Sequence, residues 1–314
     1  SQGSAEQQNG RAGASKKRRS QGEQARTQRP NQERANLNGY LRWRNKRWRE
    51  GKDAEEERHQ HWGCKVDKKR EGVIRIVIDN INSIRPWHDN NTKLKAIRQF
   101  IRAIEVDIYG MSEVRANWNQ VQEGDKLDEL LRSETALRCV TAHNHNENDG
   151  VEQEGGVALV GIDRIAAKIR ETGSHKSGLG RWAWMKITNK QGHNTRIVTA
   201  YQPGWDDSSR PTISYSQQRR HLVKEGNDIK CPKRSFIRDL TSQLKERREK
   251  EESIILAGDF NDNGNGKLEE ALRDVDIGMV NAMKQKPPGK LLPPTHYEGS
   301  KPIDEMFVTP EVRI

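Results

Sequence analysis

The sequence predicts an α/β domain that follows a basic, polar arm, and three observations carry that expectation. Short apolar runs recur from Val73 onward, and several of them stop at Asn, Asp or Glu. The first two runs flank a stripe of apolar residues at helical spacing, the strand–helix–strand pattern of a βαβ unit. The positive charge is segregated: residues 1–70 hold 19 Lys and Arg against 9 Asp and Glu, whereas the remaining 244 hold 37 against 36. The net charge of +11 is therefore a property of the arm, and the rest is a nearly neutral domain.

Residues 1–36 are rich in Gln, Asn, Gly, Ser and Arg, with almost nothing to bury, a composition that predicts disorder. Lys16-Lys17-Arg18-Arg19 within them suits nuclear import or phosphate binding, and suits a solvated charge run equally well. Between Leu37 and Trp62, Arg42, Arg44 and Arg47 interleave with Trp43 and Trp48. That mixture can follow a nucleic-acid backbone and stack on bases, or it can be a helix docking an aromatic face. The arm is expected at 1–70 and the folded domain at 71–314.

Val73–Ile78 reads as a strand leading to Asp79-Asn80-Ile81-Asn82-Ser83, and Leu94, Ile97, Ile101 and Ile104 mark the helix after it. Val106–Met111 is a second strand that delivers Ser112-Glu113-Val114-Arg115 to its end. A short helix is expected over Leu127–Leu131, then strands over Arg138–Ala142, Gly156–Ile162, Arg181–Thr188 and Arg196–Tyr201. Residues Gly204–Pro232 read as a long polar connection, helical near Gln217–Lys224. Phe236, Ile237, Leu240 and Leu244 mark another helix, and Leu268, Ala271, Leu272 and Val275 a last one before a strand over Pro302–Val308.

Ser253–Leu256 is a buried-strand pattern that runs into Ala257-Gly258-Asp259-Phe260-Asn261, where Gly258 is expected to let the chain turn. A carboxylate and a carboxamide one residue apart at a strand's carboxyl end suit phosphate-ester chemistry. Asp259 can orient or deprotonate water, and Asn261 can donate to a phosphoryl oxygen without adding charge. The plainer reading is a strand end followed by an Asx turn through Asn261-Asp262-Asn263-Gly264. Four strand ends then hold groups suited to one site: Asn80 with Asn82, Glu113, Asp259 with Asn261, and Asp304, with Tyr201 closing a fifth. Phosphodiester hydrolysis needs a metal to offset charge, and Glu113 is a hard oxygen ligand of the kind Mg²⁺ takes.

In order and spacing these residues resemble the endonuclease/exonuclease/phosphatase superfamily, specifically the apurinic-endonuclease-like domains of non-LTR (LINE-type) retrotransposon polyproteins. The resemblance rests on Asn80-Ile81-Asn82, Ser112-Glu113 (Ser for the usual Gln), Gly155-Gly156-Val157-Ala158, Tyr201-Gln202-Pro203, Gly258-Asp259-Phe260-Asn261, Thr295 and Ser300-Lys301-Pro302-Ile303-Asp304. It covers Val73 to Phe307, and Asn82 is the form met in the retroelement branch. It implies a four-layer sandwich of two packed mixed β-sheets flanked by helices. It implies Glu113 and Asn80 as ligands of Mg²⁺ or Mn²⁺, Asp259 activating water, and Asn261 and Tyr201 on the phosphate. Asn82, Arg115 and Thr295 would face DNA, and Asp304 would orient a histidine.

The family's closing Ser-Asp-His motif is not in this sequence, and His296 does not match it. The expectation is a fragment of a longer polyprotein, with a reverse-transcriptase region as partner, or a degenerate copy that binds nucleic acid without cutting it. An apurinic repair endonuclease and a phosphatase of the same superfamily are the enzymatic alternatives. Cys64, Cys139 and Cys231 are far apart and odd in number, which favours a reducing compartment. No apolar run approaches the roughly 18 residues that span a membrane. An intracellular, nuclear location, DNA as partner and no organic cofactor are expected.

Overall fold

The structure, a computed structural model, describes residues 68–86, 92–123, 126–132, 136–144, 150–204, 213–262, 266–285, 295 and 302–313. All of them belong to the compact unit Glu57–Ile314. The proposed contacts Arg42, Trp43, Arg44, Arg47 and Trp48 lie outside the described residues, as does the basic run at 16–19.

A four-stranded sheet has the order β1 (Ile76–Asn80), β2 (Ile108–Ser112), β4 (Val157–Ile162), β3 (Leu137–Ala142). A six-stranded sheet has the order β5 (Ile169–Ser174), β6 (Trp182–Thr188), β7 (Asn194–Tyr201), β8 (Ser253–Asp259), β10 (Asp304–Val308), β9 (Val280–Asn281). Each is mixed: β1 and β2 are parallel, as are β7 and β8, and the other pairings are antiparallel. Parallel pairing needs a long crossover. The helix α1 (Thr92–Ala103) makes one, and α4 (Ser214–Lys224) with α5 (Pro232–Arg248) makes the other.

The two sheets pack face to face through Ile108 and Leu159 on one side and Met185, Ile187 and Ile197 on the other. Inward-facing Gly110 lets them close, since a Cβ there would stand 2.4 Å from Ile78 Cδ1 and 3.1 Å from Thr199 Oγ1. On the outer face of the smaller sheet, Leu94 and Ile97 of α1 and Leu127 and Leu131 of α2 (Leu127–Leu131) join Tyr109 and Met111. On the outer face of the larger sheet, Phe236, Leu240 and Leu244 of α5 and Leu268 and Leu272 of α6 (Lys267–Leu272) cover Leu256 and Phe307. Helix, sheet, sheet and helix form four layers, the architecture expected.

Several details differ from the sequence reading, among them the start of β1 at Ile76 rather than at the exposed Val73, and the two-residue strand β9. A short helix α3 (Arg164–Lys168) and the strand β5 were not foreseen, because β5 alternates little and pairs only with β6. Val275 was assigned to an apolar stripe, but α6 ends at Leu272 and Val275 is 93% exposed. Gly258 is not the turn. It lies inside β8, and a Cβ there would come within 1.9 Å of the Ala200 carbonyl on β7. Glycine is required for that approach of two backbones.

Candidate active site

The carboxyl ends of β1, β2, β7 and β8 and the amino end of β10 meet at one edge of the sandwich. Register brings them there: Asp259 is the neighbour of Tyr201 across the parallel pair and of Asp304 across the antiparallel one. Asn80 is the neighbour of Ser112, so Glu113 leaves β2 beside it. A hydrogen bond from Asn80 Nδ2 to Asp259 Oδ2, 2.8 Å long, ties the smaller sheet to the larger.

Asp259 is 1% exposed, and its carboxyl is pushed well above the usual carboxylate range. Burial is the largest cause, and the charges of Asp304 and Glu113 add to it. The Asn80 carboxamide and the Asn261 N–H, which donates to Asp259 Oδ1 at 3.1 Å, pull the other way. The last contact is an Asx turn made by Asp259 itself, whereas the turn expected through Asn261-Asp262-Asn263-Gly264 runs into Asn263 and Gly264, which lie outside the described residues. Turn and acidic pocket coexist here.

Phe260 anchors that turn. It is fully buried between Phe236 and Phe307 at ring distances of 6.5 and 5.8 Å, and its N–H donates to the Ile303 carbonyl. Asn261 on its far side is left-handed (φ 45°), and its Nδ2 donates to the Gln202 carbonyl at 2.9 Å. Lys233, in the first turn of α5, donates from Nζ to the Asn261 carbonyl. Burial lowers the Lys233 ammonium, against the attraction of Asp262 and Asp259.

Glu113 is also left-handed (φ 50°) and accepts from Arg115 Nη2 at 3.0 Å. The Tyr201 phenol is pushed well up by burial first and then by the charges of Glu113 and Asp259. Burial pulls the Arg115 guanidinium down, but Glu113 and Glu154 outweigh it and the net shift is upward. Asn82 is exposed, with its N–H on Asn80 Oδ1 at 3.0 Å. The Thr295 hydroxyl accepts from the N–H groups of Ile303 and Asp304, at 2.8 and 3.0 Å, and so holds the entry to β10.

Nine non-glycine residues among those described have φ above zero, and six of them (Asn82, Ser83, Arg85, Glu113, Arg115 and Asn261) lie in these strand-end turns. Such backbone costs of order 1–3 kcal/mol per residue and persists where surroundings over-determine it, which is common at functional sites. The sequence singled out the carboxylates and carboxamides. It passed over Gln202, which is 1% exposed and donates from its N–H to the Asp259 carbonyl, and Lys233. Both donate to a main-chain carbonyl, which carries no side-chain identity, so residue type alone did not point to them.

Among the described residues no three His, Cys, Asp or Glu side chains gather as a metal cage. A hard divalent ion does not need one: Mg²⁺ is commonly held by one or two carboxylates and completes its shell with water and substrate. Glu113 and Asn80 supply oxygen donors only, and the mutual repulsion that raises Asp259 is what a cation there would offset. The residues fit such an ion.

The Endonuclease/Exonuclease/phosphatase family model matches residues 80–268, a span that holds Asn80, Glu113, Tyr201, Asp259 and Asn261. Two solved structures of low identity share the fold. The 3′ phosphatase NExo from Neisseria, bound to a product DNA hairpin, superposes with a TM-score of 0.50 at 15% identity over 76% of this chain and 87% of its own. The human Nocturnin catalytic domain with a bound sulfate anion gives a TM-score of 0.50 at 14% identity, over 76% and 83%. No curated protein matches the sequence. No helix among the described residues is long and apolar enough to cross a membrane. With three-fifths of its length matched and the fold in agreement, the chain belongs to the Endonuclease/Exonuclease/phosphatase family, whose members are generally metal-dependent phosphodiesterases.

Proposed function

We propose that this chain is a divalent-metal-dependent DNA endonuclease, the target-nicking domain of a LINE-type retroelement polyprotein. The observation that carries the hydrolytic part is the buried Asp259, tied to Asn80 across the two sheets and crowded by Glu113 and Asp304. The retroelement part rests on the Asn80-Ile81-Asn82 form of the first motif and on the basic arm.

In this reading Asp259 holds the attacking water and takes its proton, with Asn80 fixing the carboxylate's orientation. The water oxygen bonds to phosphorus and the P–O3′ bond breaks, the departing 3′-oxygen taking a proton from solvent water, which leaves a 5′-phosphate and the 3′-hydroxyl that a reverse transcriptase extends. Asn261 Nδ2 has a second N–H beyond the one given to Gln202, and that donor meets a non-bridging oxygen. Tyr201 and Asp304 supply the remaining polar wall, and Arg115, Asn82 and Thr295 flank the path of the strand. Mg²⁺ or Mn²⁺ held by Glu113 and Asn80 would neutralise phosphate charge.

The test compares supercoiled plasmid, an abasic duplex and a soluble phosphate monoester, with Mg²⁺ and with EDTA, for the chain and its Asp259→Ala variant. Nicking of unmodified plasmid that needs the metal and Asp259 is expected. Hydrolysis of the abasic duplex alone points to repair, of the monoester alone to a phosphatase, and of none to a binding remnant. Removing residues 1–67, which keeps the Lys69–Asp107 ion pair of the fold, is expected to lower DNA affinity and flatten its salt dependence.

A further inference from the structure

Lys93 was singled out neither by a motif nor by spacing, yet it carries an unusual set of contacts. Its Nζ donates to three consecutive main-chain carbonyls, those of Ile81 (2.7 Å), Asn82 (2.9 Å) and Ser83 (2.8 Å). An ammonium has three donors, and here they converge on one turn. Asn82 and Ser83 are left-handed, at φ 44° and 72°, so the carbonyls of this turn point where an ordinary strand exit would not send them.

The position is unfavourable for the helix itself. Lys93 is the second residue of α1, where the macrodipole repels a cation, and no acidic residue in the first turn offsets it. Three contacts that compensate are with the turn after β1. That turn is in turn zipped to the exit of β2: Ile81 N–H donates to Ser112, Ser83 N–H to Glu113 and Ile84 N–H to Val114, at 3.1, 2.7 and 3.0 Å. One ammonium therefore sets the path of the segment that carries Asn80 and the segment that carries Glu113.

We propose that Lys93 is a positioning residue of the active site: it clamps the Asn80–Ile84 turn and, through it, fixes the Asn80 and Glu113 side chains without touching the reacting atoms. The catalytic consequence rests on the nuclease reading above, whereas the clamp does not. A displacement of about 1 Å far from the chemistry is enough to cost on the order of 10²-fold.

In the full chain, Lys93→Met is expected to lower kcat for plasmid nicking about 10- to 100-fold with KM for DNA unchanged within about twofold. Lys93→Arg keeps the charge, but its planar fork does not fit three carbonyls of one turn, so it is expected to stay near the Met variant. Recovery by Arg, or a raised KM with full kcat, would overturn the proposal in favour of a simple charge contact with DNA. The second readout needs no activity. Hydrogen exchange of the amides at 81–84 is expected to quicken at least about tenfold in Lys93→Met and less in Lys93→Gln, while 157–162 stays protected. Unchanged exchange at 81–84 overturns the clamp. A wild-type chain inert on every substrate removes the nuclease reading and leaves exchange to decide the clamp alone.

Discussion

The parallel strands β7 and β8 bury charge at both ends, and they do so in opposite ways. At their start, Arg196 and Glu252 are 2% and 4% exposed and form two hydrogen bonds, at 2.5 and 3.0 Å, with the guanidinium also 3.8 Å over the Trp184 ring. At their finish, Asp259 is equally buried but is met by two further carboxylates and, from the smaller sheet, by a neutral carboxamide. One end is neutralised within the fold. The other gathers three carboxylates, of which Glu113 is paired with Arg115, and the repulsion that remains at Asp259 is what a cation would offset. Burial alone does not distinguish structural from functional charge; the sign of the neighbours does.

The largest effect should come from the acidic end. Asp259→Asn keeps the shape and, through its single amide oxygen, the Asn80 contact at the expense of the Asn261 N–H one; it removes the base, and is expected to lower nicking on the order of 10³-fold, measured as initial rate on plasmid. The same change should stabilise the metal-free protein. The folded chain holds the Asp259 proton well above the pH at which the unfolded chain gives it up, near 4. Stability from that group is thus full below about pH 4 and is lost as pH rises toward the raised folded value. Asn does not titrate, so in EDTA the variant should melt higher than the wild type near neutral pH, with the gain shrinking toward pH 4. A variant that melts lower at pH 7 would show the pocket is already compensated.

The neutral end should respond in the reverse sense. Arg196→Met leaves Glu252 buried without its partner and is expected to cost about 3–5 kcal/mol in urea unfolding, with kcat of the folded fraction unchanged. Arg196→Met combined with Glu252→Leu should recover most of it. A large loss of kcat in either would mean the two ends are coupled along the strands.

That contrast was half visible in the sequence. The buried strand before Asp259 and the turn-forming residues after it could be read from type and order, and the polar residues at Asn80, Glu113, Tyr201 and Asp304 pointed to one edge. Partners distant in sequence could not be read. Arg196 and Glu252 are 56 residues apart, and nothing local marks either as buried. Gly258 was legible as glycine but not as the point where β7 and β8 touch, since its need for glycine comes from Ala200. Lys93 and Lys233 act on carbonyls, which carry no side-chain identity. β5, with its exposed Arg170 and Glu171, lacks the alternation that marks a half-buried strand.

The smallest expected effect compares the two ends through a single strand. β10 has a threonine hydroxyl beside each end, and each hydroxyl accepts from main-chain N–H groups. Thr309 takes the N–H of Ile254 at 3.0 Å, near the neutral end, and is fully buried. Thr295 takes those of Ile303 and Asp304, at the acidic end. Replacing either with Val keeps the shape and removes the acceptor, leaving the N–H groups unpaired, at about 1–3 kcal/mol where they are buried. Thr309→Val should therefore show as a lower melting temperature with kcat intact. Thr295→Val should show the smaller stability loss, because its surroundings are only half-buried, together with a several-fold loss of kcat, because the N–H it holds belongs to Asp304. Equal kcat in the two variants would mean that Asp304 is held by its other contacts, and would place the boundary of the acidic end at Asp259.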